Sequence, residues 1–359
     1  MSEADPSQPA EHPAPSGTFR IPQEVLDGGT ADVYFRHTMQ VLRAEQLNPW
    51  TVMEIFARER GVLCGIREVS QLLRERGFTG ELWALDEGEE FRPKETAVRI
   101  IGPYREYGTY ETAILGMLAS ASAWATAARA CVEAAGTIPV ISFGARHVHP
   151  NVAAVMDYAA LIGGCAGAST PSGAALRGLS ASGTMPHSLV LIMGDTVRAA
   201  EAFDRHVDQS VPRTVLVDTL RDEVEEGLRL AQALGPRLQA IRIDTPSERG
   251  GVTPDLVIEL RTKLDLAGRP DVRLFVSGGI TSERIAQFRQ AGAPVDGFGV
   301  GSAIAGARPV DFTGDVREVD GRPVAKRGRL PGRQPSPRLR RLPLMAVPVS
   351  SLQPDAPLT

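Results

Sequence analysis

The sequence predicts an α/β fold in which an N-terminal α/β domain precedes an irregular (β/α) barrel with parallel strands. From Thr137 onward, short apolar runs alternate with amphipathic helical patterns, which is typical of successive βα units on a parallel sheet. Polar or glycine residues stand directly after most of these runs. A long alanine-rich segment, Glu111 to Ala135, separates this region from a mixed N-terminal part. At 359 residues, 43% of them hydrophobic, the chain can bury the cores of two domains.

The individual elements follow from periodicity and from the residues at their ends. In the N-terminal part we expect helices over residues 32–46 and 69–76, a mixed segment over 49–60 and a strand over 98–101. Alanine favours a helix from Glu111 to Ala135, and Gly136 supplies a helix stop. The barrel strands are predicted over 138–143, 214–217, 238–243, 273–276 and 295–300, and the barrel helices over 222–234, 254–266 and 282–290.

The predicted domain limits follow from these elements. Residues 18–136 form the N-terminal α/β domain with its long linking helix, 137–310 form the (β/α) barrel, and 311–341 return to the N-terminal domain. Residues 1–17, which are rich in Pro, Ser and Glu, and residues 342–359 are predicted to be disordered tails. The arginine-rich stretch 322–341 contains no interleaved aromatic residues, so it is interpreted as a solvated tail.

Composition excludes several classes of protein. A formal net charge of −4 argues against partners such as nucleic acid or an anionic membrane. Cys64, Cys131 and Cys165 are too few and too widely spaced for a disulfide framework or a four-ligand zinc site, which indicates a reducing compartment. No apolar run reaches the roughly 20 residues that a membrane span needs. We therefore expect a cytoplasmic protein, and no metal site built by protein ligands is predicted.

Two glycine loops at successive strand ends predict a phosphate site. Ser277-Gly278-Gly279 leads into the helix predicted to begin near Ser282, so its backbone can approach an anion at a helix N-terminus. Alone, this motif is equally consistent with an ordinary βα turn. Gly299-Val300-Gly301-Ser302 follows one βα unit later, and adjacent loops of this kind commonly hold a phosphate in barrels. The pair therefore favours a phosphorylated sugar as ligand.

Asp218, Asp244 and His187 are candidate functional residues at neighbouring strand ends or turns. An aspartate after a strand is often a helix cap, and for Asp218 that alternative stays open. Asp244 is followed by Thr245, a cap of its own, so its carboxylate is free to bind ribose hydroxyls or hydrated Mg²⁺. His187, in the turn that begins Gly183-Thr184, could cap the next helix, but its place favours proton transfer or nucleophilic attack on a phosphate.

Cationic side chains follow the first barrel strand. Arg146 suits bidentate contact with a phosphate or carboxylate, and His147 and His149 stand beside it. These histidines have no third ligand at a suitable spacing, so a metal site there is weakly supported. Phe143, at the end of the strand, is either a core residue or part of the site.

Together these residues resemble those of nicotinate phosphoribosyltransferase, one of the type II phosphoribosyltransferases, from about Asp32 to Gly332. The motifs that carry the resemblance are Phe143-Gly-Ala-Arg146, Gly183-Thr-Met-Pro-His187-Ser188, Val217-Asp218-Thr219, Arg242-Ile-Asp244 and the two glycine loops. The resemblance implies a glycosyltransferase of NAD biosynthesis that condenses nicotinate with phosphoribosyl pyrophosphate, giving nicotinate mononucleotide and pyrophosphate. It also implies Mg²⁺, ATP as a co-substrate that phosphorylates His187, and a homodimer with active sites between subunits.

The resemblance also implies roles for single residues. Phe143 would stack on the pyridine ring, Arg146 would contact the substrate carboxylate or the diphosphate, and Tyr34 would close the stack from the partner chain. Asp244 would lie near the ribose hydroxyls as a catalytic residue together with His187. The predicted substrate-binding set also contains His147, Thr184 and Asp218, and the predicted phosphate-binding set is Ser277, Gly278, Gly279, Gly299, Gly301 and Ser302.

The sequence departs from this family at Asp244-Thr-Pro-Ser247, where many members have Asp-Ser-Gly-Asp, and has no cysteines for a C-terminal zinc knuckle. Two alternative functions are open. A quinolinate phosphoribosyltransferase must bind two substrate carboxylates and should show a richer cluster of Arg and Lys, whereas Arg146 alone is evident in this sequence. A non-catalytic phosphosugar-binding paralogue is the second, and the presence of both His187 and Asp244 argues against it.

Overall fold

A computed structural model describes residues 17–344 of the chain. The chain divides into two compact units. The barrel unit contains Ala128–Gly306, and the sheet unit contains Phe19–Ala127 together with residues 307–344, so the division falls inside the long helix. Most of the two predicted tails, 1–17 and 342–359, lies outside the described residues. Leu342, however, is the last residue of a strand, so the prediction of disorder from that position is wrong.

Both units combine helices with strands. In chain order, the helices are α1 Gln23–Leu26, α2 Val33–Ala44, α3 Ile66–Glu75, α4 Tyr104–Tyr107, α5 Glu111–Ala135, α6 Pro150–Ile162, α7 Pro171–Ala175, α8 His187–Met193, α9 Thr196–His206, α10 Glu223–Leu234, α11 Pro254–Leu266, α12 Ser282–Gln290 and α13 Ser302–Ala305. The strands are β1 Trp50–Ala57, β2 Gly61–Val62, β3 Glu81–Ala84, β4 Glu90–Phe91, β5 Thr96–Pro103, β6 Val140–Ser142, β7 Gly167–Ala168, β8 Thr214–Leu216, β9 Ala240–Ile243, β10 Arg273–Val276, β11 Gly297–Val300, β12 Phe312–Val319, β13 Arg322–Pro323 and β14 Arg340–Leu342.

The barrel unit is built on a parallel sheet with the strand order β7-β6-β11-β10-β9-β8. The last strand of the unit, β11, pairs in parallel with the first, β6, through Phe298 opposite Val140. The sheet forms a half-barrel whose edge strands are β7 and β8. The predicted α/β fold class is confirmed. Because all these strands run in the same direction, their carboxyl ends meet at one edge, where sites form in such folds.

The sheet unit contains an antiparallel sheet with the order β13-β12-β1-β5-β3-β14. Strand β12 begins directly after Asp311 and pairs with β1, and β14 pairs with β3. Arginines of the stretch 322–341 also form ion pairs. Arg338 Nη1 lies 2.9 Å from Glu95 Oε1, and Arg340 Nε lies 3.0 Å from Asp86 Oδ2. The interpretation of this stretch as a solvated tail is therefore wrong, because pairing along the sheet edge organises it.

Several predicted boundaries are confirmed and others were missed for physical reasons. The helices α5, α11 and α12 and the strand β10 have the predicted limits. Helix α6 was missed because residues 156–161 are all buried, so no polar stripe reveals a 3.6-residue period. Strand β7 has two residues, too few to show an alternation. None of the helices within residues 17–344 combines the length and the apolar character that crossing a membrane requires.

A carboxyl group at the start of α5 makes the stability of the sheet unit depend on pH. Burial and the nearby carboxylate of Asp315 raise the pKa of Glu111 to about 7. Because the pKa is higher in the folded state, the protonated carboxyl group contributes its full share of stability below about pH 4.5. That contribution is lost as the pH rises through about 7. We expect Glu111→Gln to raise the melting temperature more at pH 8 than at pH 5, as thermal unfolding can measure. Glu45→Gln, an exposed control, should show no such difference, and equal effects for both variants would contradict this expectation.

Candidate active site

Loops at the carboxyl ends of the barrel strands surround a cavity of about 1240 Å³. Thirteen of the residues predicted for the site line this cavity: Phe143, Arg146, His147, Thr184, His187, Asp218, Asp244, Ser277, Gly278, Gly279, Gly299, Gly301 and Ser302. The structure thus brings together side chains that are separated by up to 159 residues in the sequence (302 − 143). The parallel strand direction is the physical reason, since it places every strand end on the same edge.

Tyr34 is the predicted site residue that does not line the cavity. It belongs to α2 of the sheet unit, where the residue is 58% exposed. Its hydroxyl donates a hydrogen bond to Asp32 Oδ2 over 3.1 Å. A role for Tyr34 at the site of a partner chain stays a prediction.

His187 and Asp218 form a hydrogen-bonded pair at the cavity wall. The distance from His187 Nε2 to Asp218 Oδ2 is 2.7 Å, and the Asp218 side chain is almost fully buried. His187 is the first residue of α8 and its side chain does not cap that helix; Pro186 occupies the N-cap position. Asp218 is not a cap either, because Asp222 caps α10 by accepting from Val224 N over 3.0 Å. Both capping alternatives are therefore wrong.

A second polar group is built around Arg242 on strand β9. Its Nη1 donates to Thr184 Oγ1 over 2.6 Å, and its Nη2 donates to Asp244 Oδ2 over 3.1 Å. The guanidinium also lies over the Phe143 ring, 5.8 Å from the ring centroid. Phe143 is therefore a wall of the cavity and not simply a core residue. Side chains that follow β6 and β9 and one from the loop between α7 and α8 are thus held in one network.

The two glycine loops require glycine for reasons that differ. Gly278 has φ +85°, and a Cβ there would lie 2.6 Å from Asp244 Oδ1. The carboxylate therefore occupies space that any side chain at position 278 would fill. Gly279 has φ +63° with open space around it. Among residues 17–344, neither glycine donates its N–H to another backbone group. At Gly301 a Cβ would lie 3.0 Å from the Phe143 carbonyl oxygen. Both loops thus expose backbone to the cavity, as anion binding requires.

The cavity is richer in arginine than the sequence suggested. Arg242 and Arg284 line it together with Arg146. In Arg242 and in Arg284 the Nε atom is buried and has no hydrogen-bond partner within the described part of the chain. A sequence signal existed for Arg242, since a residue two positions before Asp244 on a strand shares its face. Arg284, in the first turn of α12, has no comparable signal.

Unsatisfied oxygen atoms also face this region. Asp218 Oδ1, Thr219 Oγ1 and Ser277 Oγ are buried without hydrogen-bond partners among the described residues. Each belongs to a residue that lines the cavity. Buried polar atoms are normally paired, so these are positions at which a polar ligand would complete the hydrogen bonding.

Metal ligation by the histidine pair after β6 gains no support from the geometry. His149 caps α6 by accepting a hydrogen bond from Asn151 N over 3.2 Å, while His147 lines the cavity. No cluster of three His, Cys, Asp or Glu side chains that could hold a metal ion occurs within residues 17–344.

Comparison with known proteins identifies the family. The profile of the N-terminal domain of quinolinate phosphoribosyl transferase matches residues 32–122, and the profile of the C-terminal domain matches residues 124–314. The chain belongs to the quinolinate phosphoribosyltransferase family. The crystal structure of nicotinate-nucleotide pyrophosphorylase from Pyrococcus furiosus is similar, with a TM-score of 0.82 and 43% identity over 89% of this chain and 82% of that chain.

Curated relatives carry a different name. A nicotinate phosphoribosyltransferase from Mycobacterium tuberculosis is 37% identical over 64% of this chain and 49% of its own length. A second one from the same organism is 35% identical over 71% of this chain and 57% of its own length. The chain spans about half the length of these relatives.

The assignment to the type II nicotinate family is corrected by the profiles and by the Pyrococcus furiosus structure. The motifs behind that assignment supply glycine loops, carboxylates and an aromatic wall, and these groups do not by themselves identify one acceptor. The argument against quinolinate depended on Arg146 standing alone, and that premise is wrong, because Arg242 and Arg284 line the same cavity.

Proposed function

We propose that this chain is a phosphoribosyltransferase that joins quinolinate to the ribose of phosphoribosyl pyrophosphate, releasing pyrophosphate and carbon dioxide and forming nicotinate mononucleotide. The observation that carries the proposal is the cavity in which Arg146, Arg242 and Arg284 meet two glycine loops. Quinolinate has two carboxylates and phosphoribosyl pyrophosphate has several phosphate charges, so the reaction needs more than one guanidinium.

The glycine loops are the proposed site of the 5′-phosphate. The N–H groups of Gly278 and Gly279 have no backbone acceptor among the described residues, and Gly279 has open space around it. Helix α12 follows, with Thr281 as its N-cap. The aligned peptide dipoles of the helix add a favourable partial positive charge at this N-terminus. Ser277, Gly299, Gly301 and Ser302 complete the proposed phosphate site.

The wall formed by Phe143 and Arg242 is the proposed site of the pyridine ring. The Arg242 guanidinium lies 5.8 Å from the centroid of the Phe143 ring, and these two planar groups offer a planar acid a matching surface. Arg146 and His147 are exposed at the cavity and supply cationic or donor groups for the carboxylates. Thr184 Oγ1 accepts a hydrogen bond from Arg242 Nη1 and holds the guanidinium in place.

The reaction follows from this arrangement. The ring nitrogen of quinolinate forms a bond to C1′ as the bond from C1′ to the pyrophosphate oxygen breaks, and pyrophosphate departs with the electron pair. Positive charge develops on the ribose, where the Asp244 carboxylate would stabilise it. The carboxylate next to the ring nitrogen then leaves as carbon dioxide, and the carbon that retains the electron pair takes a proton from solvent in the open cavity.

The donor set fits Mg²⁺ bound together with the diphosphate. Asp218 Oδ1 is a buried oxygen without a partner in the described chain, and Asp244 lines the same cavity, so both offer the hard oxygen ligands that this ion prefers. These two carboxylates would hold the ion jointly with phosphate oxygens. When bound, Mg²⁺ supplies charge neutralisation for the leaving pyrophosphate.

The His187–Asp218 pair is expected to act as one unit. Asp218 orients the imidazole through Nε2, and removal of either partner breaks the same 2.7 Å contact. We expect His187→Asn to lower kcat/KM by about tenfold and Asp218→Asn, which also alters the proposed Mg²⁺ ligand, to lower it further. The double variant should lose little beyond Asp218→Asn, because contacting residues are not additive. Steady-state kinetics measure this cycle. His206→Asn, an exposed control at the end of α9, should behave as wild type, and full additivity would show that the two side chains act separately.

One assay tests the proposed function. Release of pyrophosphate and of carbon dioxide from phosphoribosyl pyrophosphate is measured with quinolinate, nicotinate or nicotinamide as acceptor, each with and without ATP. Equimolar pyrophosphate and carbon dioxide with quinolinate is the expected result. Turnover with nicotinate and none with quinolinate would overturn the proposal, and no turnover with any acceptor would favour the non-catalytic paralogue. The ATP arms test the ATP requirement, which stays a prediction, as does the homodimer.

A further inference from the structure

A buried carboxylate beneath the cavity wall has no part in the chemistry described above. Asp157 is the one charged residue of α6, and its side chain is fully buried beside Met156 and Tyr158. A carboxylate taken out of water destabilises a protein unless hydrogen bonds compensate it. Its presence in an otherwise apolar helix therefore calls for a specific partner set.

That partner set joins two strand ends. Ser142 Oγ donates to Asp157 Oδ1 over 2.8 Å, while Thr170 donates to Oδ2 from its backbone N over 2.9 Å and from Oγ1 over 2.7 Å. Ser142 is the last residue of β6, and Thr170 follows β7, so one carboxylate holds the carboxyl ends of two neighbouring strands. All three donors are neutral, so no ion pair compensates the buried charge. The Asp157 carboxylate is stabilised by well-placed hydrogen bonds alone.

Each strand end continues directly into the cavity. Phe143, the residue after Ser142, forms the aromatic wall, and Thr170 itself lines the cavity. The packing under these segments is close: a Cβ at Gly173 would lie 2.5 Å from Asp157 Cβ, and a Cβ at Gly144 would lie 2.9 Å from Met156 Cε. A shift of α6 or of its carboxylate would therefore move the wall.

We infer that Asp157 is a positioning residue for the pyridine half of the site, acting through Ser142 and Thr170 without touching the substrate. The phosphate loops follow β10 and β11 and do not contact this carboxylate in the hydrogen bonds above. The loop after β11 adjoins Phe143 through the bond from Phe143 N to Val300 O (2.8 Å), whereas the loop after β10 has no such bond to this segment within residues 17–344. Loss of Asp157 therefore weakens binding of the pyridine acid more than that of phosphoribosyl pyrophosphate. The inference rests on the proposed function for the identity of the pyridine acid.

The test compares Asp157→Asn with Asp204→Asn, a buried aspartate of the same unit that bonds Arg213 and does not line the cavity. For Asp157→Asn we expect KM for the pyridine acid to rise by about tenfold or more, since small displacements of a positioned wall are costly. The dissociation constant of phosphoribosyl pyrophosphate, from calorimetry, should change by less than about threefold, within ordinary mutational scatter. Asp204→Asn should lower the melting temperature without this split. Equal loss of both ligands with Asp157→Asn would overturn the inference.

Two further measurements separate this inference from the proposed function. Ser142→Ala removes one donor, and in combination with Asp157→Asn it should add little to the rise in KM, as expected for residues in one network. Hydrogen exchange of residues 140–147 and 168–174 should become faster in Asp157→Asn while that of 277–284 does not, and this readout needs no substrate. Unchanged exchange in the first two segments would refute the positioning role even if the substrate were correctly identified.

Discussion

Asp244→Asn is expected to lower kcat by about a hundredfold, because a preorganised negative charge facing a cationic transition state is worth a few kcal/mol. Asp244 lines the cavity, accepts from Arg242 over 3.1 Å and lies under Gly278. The amide keeps the size of the side chain and removes its charge, so the melting temperature should change little. Steady-state kinetics with thermal unfolding measure both quantities.

A control separates charge from position in this experiment. Asp255→Asn changes an exposed aspartate in the first turn of α11 and should leave kcat unaltered. Arg242→Gln removes the hydrogen-bond partner of Asp244. If the Asp244 carboxylate is catalytic without Arg242, this variant should raise KM for the pyridine acid more than it lowers kcat. Normal turnover in Asp244→Asn would mean that this carboxylate serves only to hold Arg242, and the catalytic assignment would pass to another residue.

Gly278→Ala should weaken binding of phosphoribosyl pyrophosphate by about a hundredfold, because a misplaced phosphate loop loses several charge-assisted hydrogen bonds. The added Cβ would lie 2.6 Å from Asp244 Oδ1, and φ at this residue is +85°, a conformation that alanine rarely adopts. Both the loop and the carboxylate must shift. Calorimetry with phosphoribosyl pyrophosphate alone measures the loss, and quinolinate alone should bind nearly as in wild type.

Gly292→Ala is the matched control for this prediction. Gly292 also has positive φ, +67°, but it has open space around it and does not line the cavity. The two variants share backbone strain of about 1 kcal/mol, and Gly278→Ala adds the close approach to Asp244 Oδ1, so both melting temperatures should fall and that of Gly278→Ala at least as far. A similar loss of phosphoribosyl pyrophosphate binding in both would point to general destabilisation and away from a phosphate loop.

The residues that were informative in the sequence form the half of the cavity that is proposed to bind phosphoribosyl pyrophosphate. The glycine loops, Asp244 and His187 were found because each stands beside a strand end or in a glycine turn, and all of them line one cavity. That half is common to transferases with different acceptors, so it did not separate one family from the other. The proposed choice of acceptor depends on Arg146, Arg242 and Arg284, which line the cavity. The first two stood in sequence motifs, whereas Arg284 had no comparable sequence signal.

The sequence by itself determined the repeated βα units, the long helix α5 and the loops that follow the strands, because burial periodicity and glycine positions are local properties. Tertiary structure alone decided the contacts between segments: His187 with Asp218 across 31 positions, Arg242 against Phe143, and Asp157 between two strand ends. Strand order and register set these contacts, and both depend on which faces pack together over the whole unit. A single sequence records the faces of each element but not their partners.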